Sequence, residues 1–313
     1  MKVFSFFSGM DNFGLGFRNQ GHEQVGHAEI DYSSNLLNEE AHNQKGKNYG
    51  CIRKIAADPG ILPYFDCAIG GAPCPAFSQA GKRTENPFDQ VEVGGDLFLH
   101  FCKILEFHQP RILVLEQVKG VLSSGRYKGE IFGFMLNRLS ELGYDCQWQT
   151  LNSKNFGVPQ NRERVFIVGH LRGTTRPKVF PIVGEANSYT CKSESAKTAV
   201  ARTISGGGHS GGNHSGMTIL QLNKPKHSND RIYSDKGISP TLNTCSGGNR
   251  QPFIKNGKVL RRLTPLEFFR LQGTPDRVFL KGKELGISDT QLFKMAGNSV
   301  TVPVIEAIAS RIK

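Results

Sequence analysis

The sequence position of one cysteine, Cys74, suits a catalytic nucleophile. It lies between Pro73 and Pro75 in the segment GGAPCPAFSQAG (70–81), directly after the short apolar run 67–69. The segment has no apolar periodicity, and open α/β sheets place their sites at the carboxyl ends of strands. A thiolate in this loop could attack an electron-poor carbon. We expect the other six cysteines to be ordinary buried residues that fill the core, which is the common role of a cysteine.

A carboxylate and two arginines are further candidates to act on a substrate. Glu116 ends the apolar run 112–115, so we expect it at the end of a strand, where it could act as a general acid. A helix-capping or salt-bridged carboxylate is the alternative. Arg162 and Arg164 lie in QNRER (160–164), and alternation in an extended segment puts both on one face. A surface pair that binds phosphate is the alternative for these arginines.

The segment FFSGMDNFGLGF (6–17) follows a predicted strand and opens a helix, as nucleotide-binding turns do, but it lacks the GxGxxG fingerprint. Asp11 lies inside the turn, where a carboxylate would repel a pyrophosphate at the helix start. A cofactor with an ammonium group and no phosphate would tolerate it, and S-adenosylmethionine fits this description. Glu29 closes the second predicted strand, where an acidic residue is placed to accept ribose hydroxyls.

Strand and helix patterns alternate over residues 1–170 and predict the elements that hold these side chains. The alternation favours an α/β fold with a mostly parallel sheet and helices on both faces. The predicted strands are 3–7, 25–30, 67–69, 112–115 and 165–169, and the predicted helices are 32–42, 96–108 and 132–142. Helical periodicity is lost after residue 170 and returns at Thr264. A final helix is predicted over 292–312, with an interruption near GNSV (297–300).

The chain has 313 residues and a formal net charge of +12, and one segment carries nearly all of the excess. Residues 171–262 hold 15 Lys and Arg against 4 Asp and Glu, whereas the remainder holds 24 against 23. A segment this basic favours a nucleic acid partner over a solvated basic face. Within it, the run SGGGHSGGNHSG (205–216) is either a flexible linker or a loop that approaches a groove.

The composition also excludes several classes of protein. No apolar run approaches the ~18–20 residues needed to span a bilayer, and the apolar start of the chain is too short for a signal peptide. We therefore expect a cytoplasmic protein without membrane contact. Seven cysteines without a CxxC pair fit reduced thiols better than disulfides or a structural zinc site. His209 and His214 lack nearby ligand partners, so no metal is expected.

Six motifs, in order, resemble those of the DNA (cytosine-5) methyltransferases of bacterial restriction–modification systems, and the resemblance covers nearly the whole chain. The motifs are FFSGMDNFGLGF (6–17), GGAPCPAFS (70–78), RILVLEQVKGVL (111–122), LNSKNFGVPQNRERVFIVG (151–169), RRLTPLEFFRLQGTPD (261–276) and FKMAGNSVTVPVIEAIA (293–309). The resemblance implies a Rossmann-like, S-adenosylmethionine-dependent methyltransferase sheet with a smaller, irregular target-recognition domain. The implied catalytic, cofactor-binding domain is 1–172 plus 288–313, and the target-recognition domain is 173–287.

The resemblance also implies roles for individual residues. Cys74 would add to carbon 6 of a cytosine flipped out of the duplex, which activates carbon 5 for methylation. Glu116 would contact N3 and the exocyclic amine, Arg164 would contact O2, and Arg162 would orient the loop. The implied cofactor-binding residues are Phe7, Gly9, Met10, Glu29, Ile30, Ile52, Pro73, Leu97, Asn298, Ser299 and Val300. The DNA-binding candidates are Lys82, Arg83, Arg231, Asn249, Arg250 and Gln251, whose side chains suit phosphates or groove edges.

Several residues differ from the usual pattern of this family. Ser5 replaces Asp, Asp11-Asn12 replaces Gly-Gly, Cys51 replaces Asp, Pro75 replaces Gln, Gln117 replaces Asn and Gly94 replaces Arg. These differences bear on cofactor affinity and on the loop 72–95 more than on the reaction type, because Cys74, Glu116 and Arg164 are all present.

Two other functions stay open at this point. An RNA methyltransferase of the same fold would act on tRNA, but the Cys-Phe-Thr tripeptide typical of such relatives is absent, and the basic segment suits duplex DNA better. An inactive DNA-binding descendant is the second alternative. For the DNA enzyme we expect a monomer whose partner is double-stranded DNA. A cognate restriction endonuclease would be associated only genetically.

Overall fold

The computed structural model describes residues 1–73, 96–125, 127–183, 218–245 and 250–312. Its main sheet contains β1 (Lys2–Phe6), β2 (Glu23–Ala28), β3 (Cys67–Gly70), β4 (Ile112–Val118), β5 (Tyr144–Asn152) and β6 (Glu163–Leu171). The strand order is β2–β1–β3–β4–β6–β5. Neighbours among β1 to β4 pair in parallel, whereas β6 runs antiparallel to both β4 and β5.

Helices cover both faces of this sheet. The α-helices of the described ranges are α1 (Asn12–Asn19), α2 (Tyr32–Ala41), α3 (Ile52–Ala57), α4 (Leu97–His108), α5 (Glu130–Glu141), α6 (Pro265–Leu271), α7 (Asp276–Glu284), α8 (Asp289–Asn298) and α9 (Val302–Ala309). On one face Phe4 and Phe6 pack with Phe101 of α4, and on the other face Phe17 of α1 packs with Ile305 of α9. The predicted α/β class with helices on both faces is confirmed, and its buried central strands are apolar runs because both sides are covered.

The sheet differs from the sequence prediction in two respects. β5 is absent from the predicted strands because its half-exposed polar residues, such as Gln147 and Gln149, form no apolar run at the sheet edge. β6 runs antiparallel to β4, which pairs Glu116 with Phe166 and Val118 with Arg164. This reversal brings the start of β6 to the carboxyl end of β4.

A second, three-stranded sheet contains β7 (Ile232–Ser234), β8 (Phe253–Asn256) and β9 (Val259–Arg262). The helices α6, α7 and α8 bury an apolar cluster that also includes Met10 and Leu37. The helix expected over 292–312 is present as α8 and α9, which are separated near GNSV as predicted. The division into domains at residues 172 and 288 stays a prediction. No helix in the described ranges is long and apolar enough to cross a membrane.

A buried histidine makes the stability of this fold depend on pH. His42 Nε2 lies 3.1 Å from the Met10 carbonyl oxygen, and burial lowers the pKa of His42 from its ordinary value of 6.5 to about 4. The folded protein therefore holds His42 neutral at pH values where the unfolded chain binds a proton. Above pH 6.5 His42 is neutral in the folded and the unfolded protein, so its titration costs no stability. We expect the free energy of unfolding to fall by on the order of 2–3 kcal/mol as the pH drops from 6.5 to 4.

Urea unfolding at pH 7 and pH 4.5 measures this effect, with His42→Gln as the comparison. The variant should lose less free energy of unfolding between the two pH values than the wild type does, because glutamine does not titrate. An equal loss in both proteins would remove His42 as the cause.

Candidate active site

Glu116 and Arg164 form an ion pair at the carboxyl end of β4. Arg164 Nε lies 2.8 Å from Glu116 Oε1, and the two side chains are 16% and 13% exposed. The antiparallel β6 creates this pair by placing Arg164 opposite Val118. Arg164 Nη1 also donates to the Glu163 carbonyl oxygen at 2.8 Å. The guanidinium thus fixes the Glu116 carboxylate at the edge where open α/β sheets place their sites.

The loop that carries Cys74 begins beside this pair. A Cβ atom added to Gly71 would lie 2.9 Å from Glu116 Oε2, so the backbone passes close to the carboxylate. Gln117 Nε2 donates to the Ala72 carbonyl oxygen at 3.3 Å and anchors the start of the loop. Pro73, which is exposed, is the last residue described before the loop. Cys74, Lys82 and Arg83 lie outside the described residues.

Other cysteines of the chain are held as thiols. Burial raises the pKa of Cys67, and it raises the pKa of Cys102 and of Cys146 to about 12 and that of Cys245 to about 11. Such thiols are protonated at neutral pH, and a protonated thiol is a weak nucleophile. The role of filler that the sequence suggested therefore fits these four cysteines.

Arg162 is 3% exposed and is surrounded by carbonyl oxygens. Its Nη2 donates to Ser299 O at 2.7 Å and to Gly297 O at 3.1 Å, and its Nη1 donates to Leu242 O at 3.4 Å. Burial, with Arg164 nearby, lowers the pKa of Arg162 to about 9, so the guanidinium is charged at neutral pH. The alternative of a surface phosphate-binding pair is wrong for Arg162, because its side chain is buried and joins the start of β6 to the segment that follows α8.

A second group of candidate residues lies at the carboxyl ends of β1 and β2. Glu29 Oε2 accepts the Gly9 N–H at 2.7 Å, and Oε1 accepts the N–H groups of Ile30 and Asp31 at 2.8 and 2.7 Å. The carboxylate therefore ties the turn after β1 to the end of β2. Phe7 and Gly9 both adopt a φ of 54°, and a Cβ on Gly9 would meet no atom within 4 Å. The turn faces open space next to Ile30, which is 77% exposed.

The starts of two helices are brought together by an ion pair between Arg53 and Asp96, with 2.7 Å between Nη2 and Oδ1. Ile52, which is buried, belongs to the apolar cluster against which the half-buried Leu97 packs. Met10 is only 1% exposed and belongs to the apolar cluster of α6 to α8, so its side chain does not line the open edge. In the segment between α8 and α9, Asn298 is exposed, Ser299 is half-buried and Val300 is buried.

The charge of Asp11 does not face this open edge. Its side chain is fully buried and forms an ion pair with Arg18, with 2.6 Å between Oδ2 and Nη1. The argument that Asp11 would repel a phosphate-bearing cofactor is therefore wrong, since Arg18 neutralises the carboxylate inside the protein. Asn12, the other residue that replaces the usual glycine, is also buried, and its side chain bonds to Thr274 and Val300.

One family model, that of the C-5 cytosine-specific DNA methylases, matches residues 1–313. The chain belongs to this family. It is 31% identical over 336 residues to the type II methyltransferase M.Bsp6I of Bacillus sp. (strain RFL6), which covers 100% of this chain and 98% of that protein. It is 33% identical over 309 residues to the type II methyltransferase M.NgoBI of Neisseria gonorrhoeae, covering 98% and 91%. The resemblance that the six motifs indicated is confirmed.

Solved structures share the fold of this methylase. The Dnmt2 methyltransferase of S. pombe superposes with a TM-score of 0.72 at 17% identity, covering 99% of this chain and 97% of that one. The Entamoeba histolytica methyltransferase EhMeth superposes with a TM-score of 0.68 at 14% identity, covering 98% and 96%. At these identities the likeness shows the fold alone, and it supports the predicted methyltransferase sheet.

Three of the DNA-binding candidates of this methylase lie at one end of the small sheet. Arg231 directly precedes β7, and Arg250 and Gln251 precede β8, which pairs in parallel with β7 from Ile232 and Phe253 onward. Arg231 and Arg250 are exposed, whereas Gln251 is half-buried and its carbonyl oxygen accepts a bond from an arginine of β9. Asn249 lies outside the described residues.

The close approach of Gly71 to Glu116 gives a prediction for activity. Gly71→Ala places a methyl group 2.9 Å from Glu116 Oε2, so the carboxylate must move. Because displacements of about 1 Å in an active site can cost up to about 10²-fold, we expect turnover to fall at least tenfold. Labelled methyl transfer under saturating substrates measures the loss, and circular dichroism verifies the fold.

Gly133→Ala, in the interior of α5, is the matched control for this glycine. A Cβ atom at Gly133 would meet nothing within 4 Å, so this variant should retain wild-type turnover. If Gly71→Ala is as active as Gly133→Ala, the position of the Glu116 carboxylate is not critical for the reaction.

Proposed function

We propose that this methylase transfers a methyl group from S-adenosylmethionine to carbon 5 of cytosine within a specific sequence of duplex DNA. The observation that carries the proposal is the ion pair of Glu116 and Arg164 beside the start of the loop that bears Cys74. A fixed carboxylate next to a nucleophile loop suits a reaction that needs both covalent attack and protonation of the substrate.

In the proposed reaction, the target cytosine is flipped out of the duplex and its carbon 6 forms a bond with the Cys74 sulfur. The addition raises electron density at carbon 5, and carbon 5 then takes the methyl group. Glu116, which first takes up a proton from solvent, gives that proton to N3 of the base. Arg164 holds the Glu116 carboxyl group and contacts O2 of the base, and Arg162 supports the backbone around this position. Water accepts the proton that carbon 5 loses, and N3 returns its proton to Glu116. The bond between carbon 6 and the Cys74 sulfur then breaks, which restores the ring and the free enzyme.

The residues at the ends of β1 and β2 are suited to S-adenosylmethionine. When bound, it supplies an electrophilic methyl group on its sulfonium sulfur. Glu29 would accept its ribose hydroxyls, since each carboxylate oxygen can accept further hydrogen bonds, and the exposed Ile30 offers an apolar surface to the adenine. The proposed site also takes in the other cofactor residues implied by the family resemblance. The described residues contain no group of three or more His, Cys, Asp or Glu that could bind a metal ion, and none is part of the proposal.

The proposed partner is double-stranded DNA, bound between the main sheet and a target-recognition domain formed by residues 173–287. Residues 171–262 hold 15 cationic residues against 4 anionic ones, and this positive charge supports the assignment. Arg231, Arg250 and Gln251 at the end of the small sheet, with Asn249 and the loop residues Lys82 and Arg83, are the proposed DNA contacts. We place the enzyme in the cytoplasm as a monomer, associated with a restriction endonuclease only genetically.

Labelled methyl transfer onto duplex DNA and onto tRNA, followed by bisulfite sequencing of the DNA product, tests the proposed function. We expect label in DNA at one short sequence context, with 5-methylcytosine at the modified position. Label in tRNA alone would assign the enzyme to the RNA alternative. Binding of DNA without transfer to either substrate would indicate the inactive descendant.

Two lysines of the small sheet give a prediction for salt dependence. Lys255 and Lys258 are exposed on the β8–β9 hairpin, and neither forms an ion pair within the part of the chain that the structure describes. We expect Lys255→Ala with Lys258→Ala to weaken binding equally for all sequences and to reduce the log–log salt slope by about 1.8, at about 0.9 per phosphate contact. Fluorescence anisotropy over a range of salt concentrations measures both quantities.

Lys54→Ala with Lys103→Ala is the control, because it removes the same charge from exposed positions on α3 and α4. This control should keep the wild-type salt slope. The same slope in both double variants would show that the hairpin makes no phosphate contact, and a changed target sequence would show that these lysines read bases.

A further inference from the structure

Asn12, which replaces a glycine usual in the family, forms a buried contact with two distant segments. Its side chain is 1% exposed, and its Nδ2 donates to Thr274 Oγ1 at 2.8 Å and to the Val300 carbonyl oxygen at 3.0 Å. Thr274 is 3% exposed, and its hydroxyl lies 3.2 Å from Asn12 Oδ1. A glycine at position 12 could form none of these bonds, because it has no side chain.

The contact connects both parts of the proposed cofactor site. Asn12 is the first residue of α1 and directly follows the turn that contains Phe7 and Gly9. Val300 directly follows Asn298 and Ser299, and the Ser299 carbonyl oxygen is held on its other side by Arg162 at 2.7 Å. The GNSV backbone is therefore fixed between a guanidinium and the Asn12 amide.

The turn itself is held independently of this contact. Asp11 adopts a left-handed φ of 58°, and its buried carboxylate is paired with Arg18 of the same helix. Asn38 Nδ2 donates to the Gly9 carbonyl oxygen at 2.9 Å. Loss of the Asn12 contact would thus leave the turn in place and would loosen mainly the backbone at Val300, since Ser299 keeps its bond to Arg162.

We propose that Asn12 and Thr274 are positioning residues that hold the segment 298–300 against the turn 7–11, and so set the affinity for S-adenosylmethionine. The inference rests on the proposed function, since it takes these two segments as the cofactor site. Thr274 orients the Asn12 amide by donating to its oxygen and accepting from its nitrogen, and the amide then holds Val300. The reacting groups Glu116 and Arg164 bond to neither residue, so the effect falls on binding and not on the chemical step.

The test compares Thr274→Val, which removes the hydroxyl at nearly constant volume, with Thr274→Ser, which keeps it. Thr274→Val loses the two bonds between the Thr274 hydroxyl and the Asn12 amide, whereas the Asn12 bond to Val300 can still form. We expect this variant to raise the Kd for S-adenosylmethionine, measured by calorimetry, and the KM about three- to tenfold, which is the order of one net buried hydrogen bond. The kcat at saturating cofactor should stay within about twofold, since no reacting group is moved. Thr274→Ser should restore the wild-type Kd. Asn12→Gly, which loses the bond to Val300 as well as the two bonds to Thr274, should raise the Kd further.

Several results would overturn the proposal. One is that Thr274→Val melts at a lower temperature but binds S-adenosylmethionine with the wild-type Kd. Another is that Thr274→Val loses kcat without a change in Kd. Additive effects of Asn12→Ala and Thr274→Val on the Kd in a double-mutant cycle would show that the two side chains do not act together. If Thr274→Val does not fold, Thr274→Ala is measured in its place against the serine variant. A wild-type protein that binds no S-adenosylmethionine would instead refute the proposed function.

Discussion

Replacing Cys74 by serine is expected to reduce methyl transfer to the background of the assay, while binding of DNA and of S-adenosylmethionine persists. A hydroxyl is a far weaker nucleophile than a thiolate at neutral pH, so the proposed bond to carbon 6 should not form in the variant. Transfer of labelled methyl groups to DNA measures the loss. Mass spectrometry of the enzyme trapped on DNA that contains 5-fluorocytosine tests for the covalent bond, which should be absent in the variant.

Cys146→Ser is the matched control for this experiment. Cys146 is half-buried in β5, and burial raises its pKa to about 12, so it takes no part in nucleophilic chemistry at neutral pH. The control should turn over at the wild-type rate. Turnover by Cys74→Ser near the rate of this control would remove Cys74 from the mechanism.

Glu116→Gln is expected to lower turnover by about 10²–10⁴, which is the usual contribution of general acid–base catalysis. In the wild type, Arg164 Nε lies 2.8 Å from Glu116 Oε1. Glutamine keeps an oxygen that can accept a hydrogen bond from this Nε, so the geometry of the site should be largely retained. What is lost is the group that gives a proton to N3 of the base in the proposed reaction. Single-turnover rates at saturating DNA and cofactor report the chemical step without interference from product release.

Glu163→Gln provides the control, because Glu163 also forms an ion pair, with 2.8 Å between its Oε2 and Lys119 Nζ, but in a more exposed position. Exposed pairs contribute little, typically about 0–1 kcal/mol, so this variant should keep both its fold and its turnover. A loss of less than tenfold in Glu116→Gln would assign Glu116 a structural role instead of a catalytic one.

Much of the fold and the main features of the site could be predicted from local sequence patterns. Apolar runs of three to five residues identified the buried strands β1, β3 and β4, because strands that are covered on both faces lack polar alternation. The position of Glu116 at the end of such a run follows from the same pattern. The ends of parallel strands meet at one edge of a sheet, so a candidate site at this edge could be predicted without knowledge of the pairing.

Edge strands and the burial of charged side chains could not be predicted from local sequence patterns. β5 alternates half-exposed polar residues at the sheet edge, so no apolar run marks it. Asp11 looked like a charge in a binding turn, but it is buried against Arg18. Gln117 was noted only as a departure from the family pattern, although its amide anchors the start of the Cys74 loop through Ala72. Charge and size are visible in a sequence, whereas the partner that neutralises or orients a side chain is not.

The order of six motifs in the sequence predicted the reaction type, and the family model confirms that family. The roles of Cys74, Glu116 and Arg164 in the reaction are proposals. The tertiary structure decided which side chains act together. The reversal of β6 brings Arg164 to Glu116, and the return of the C-terminal helices brings Thr274 to Asn12 across 262 residues of sequence. Strand direction and helix return depend on the burial of whole apolar faces, and local patterns do not encode which faces meet.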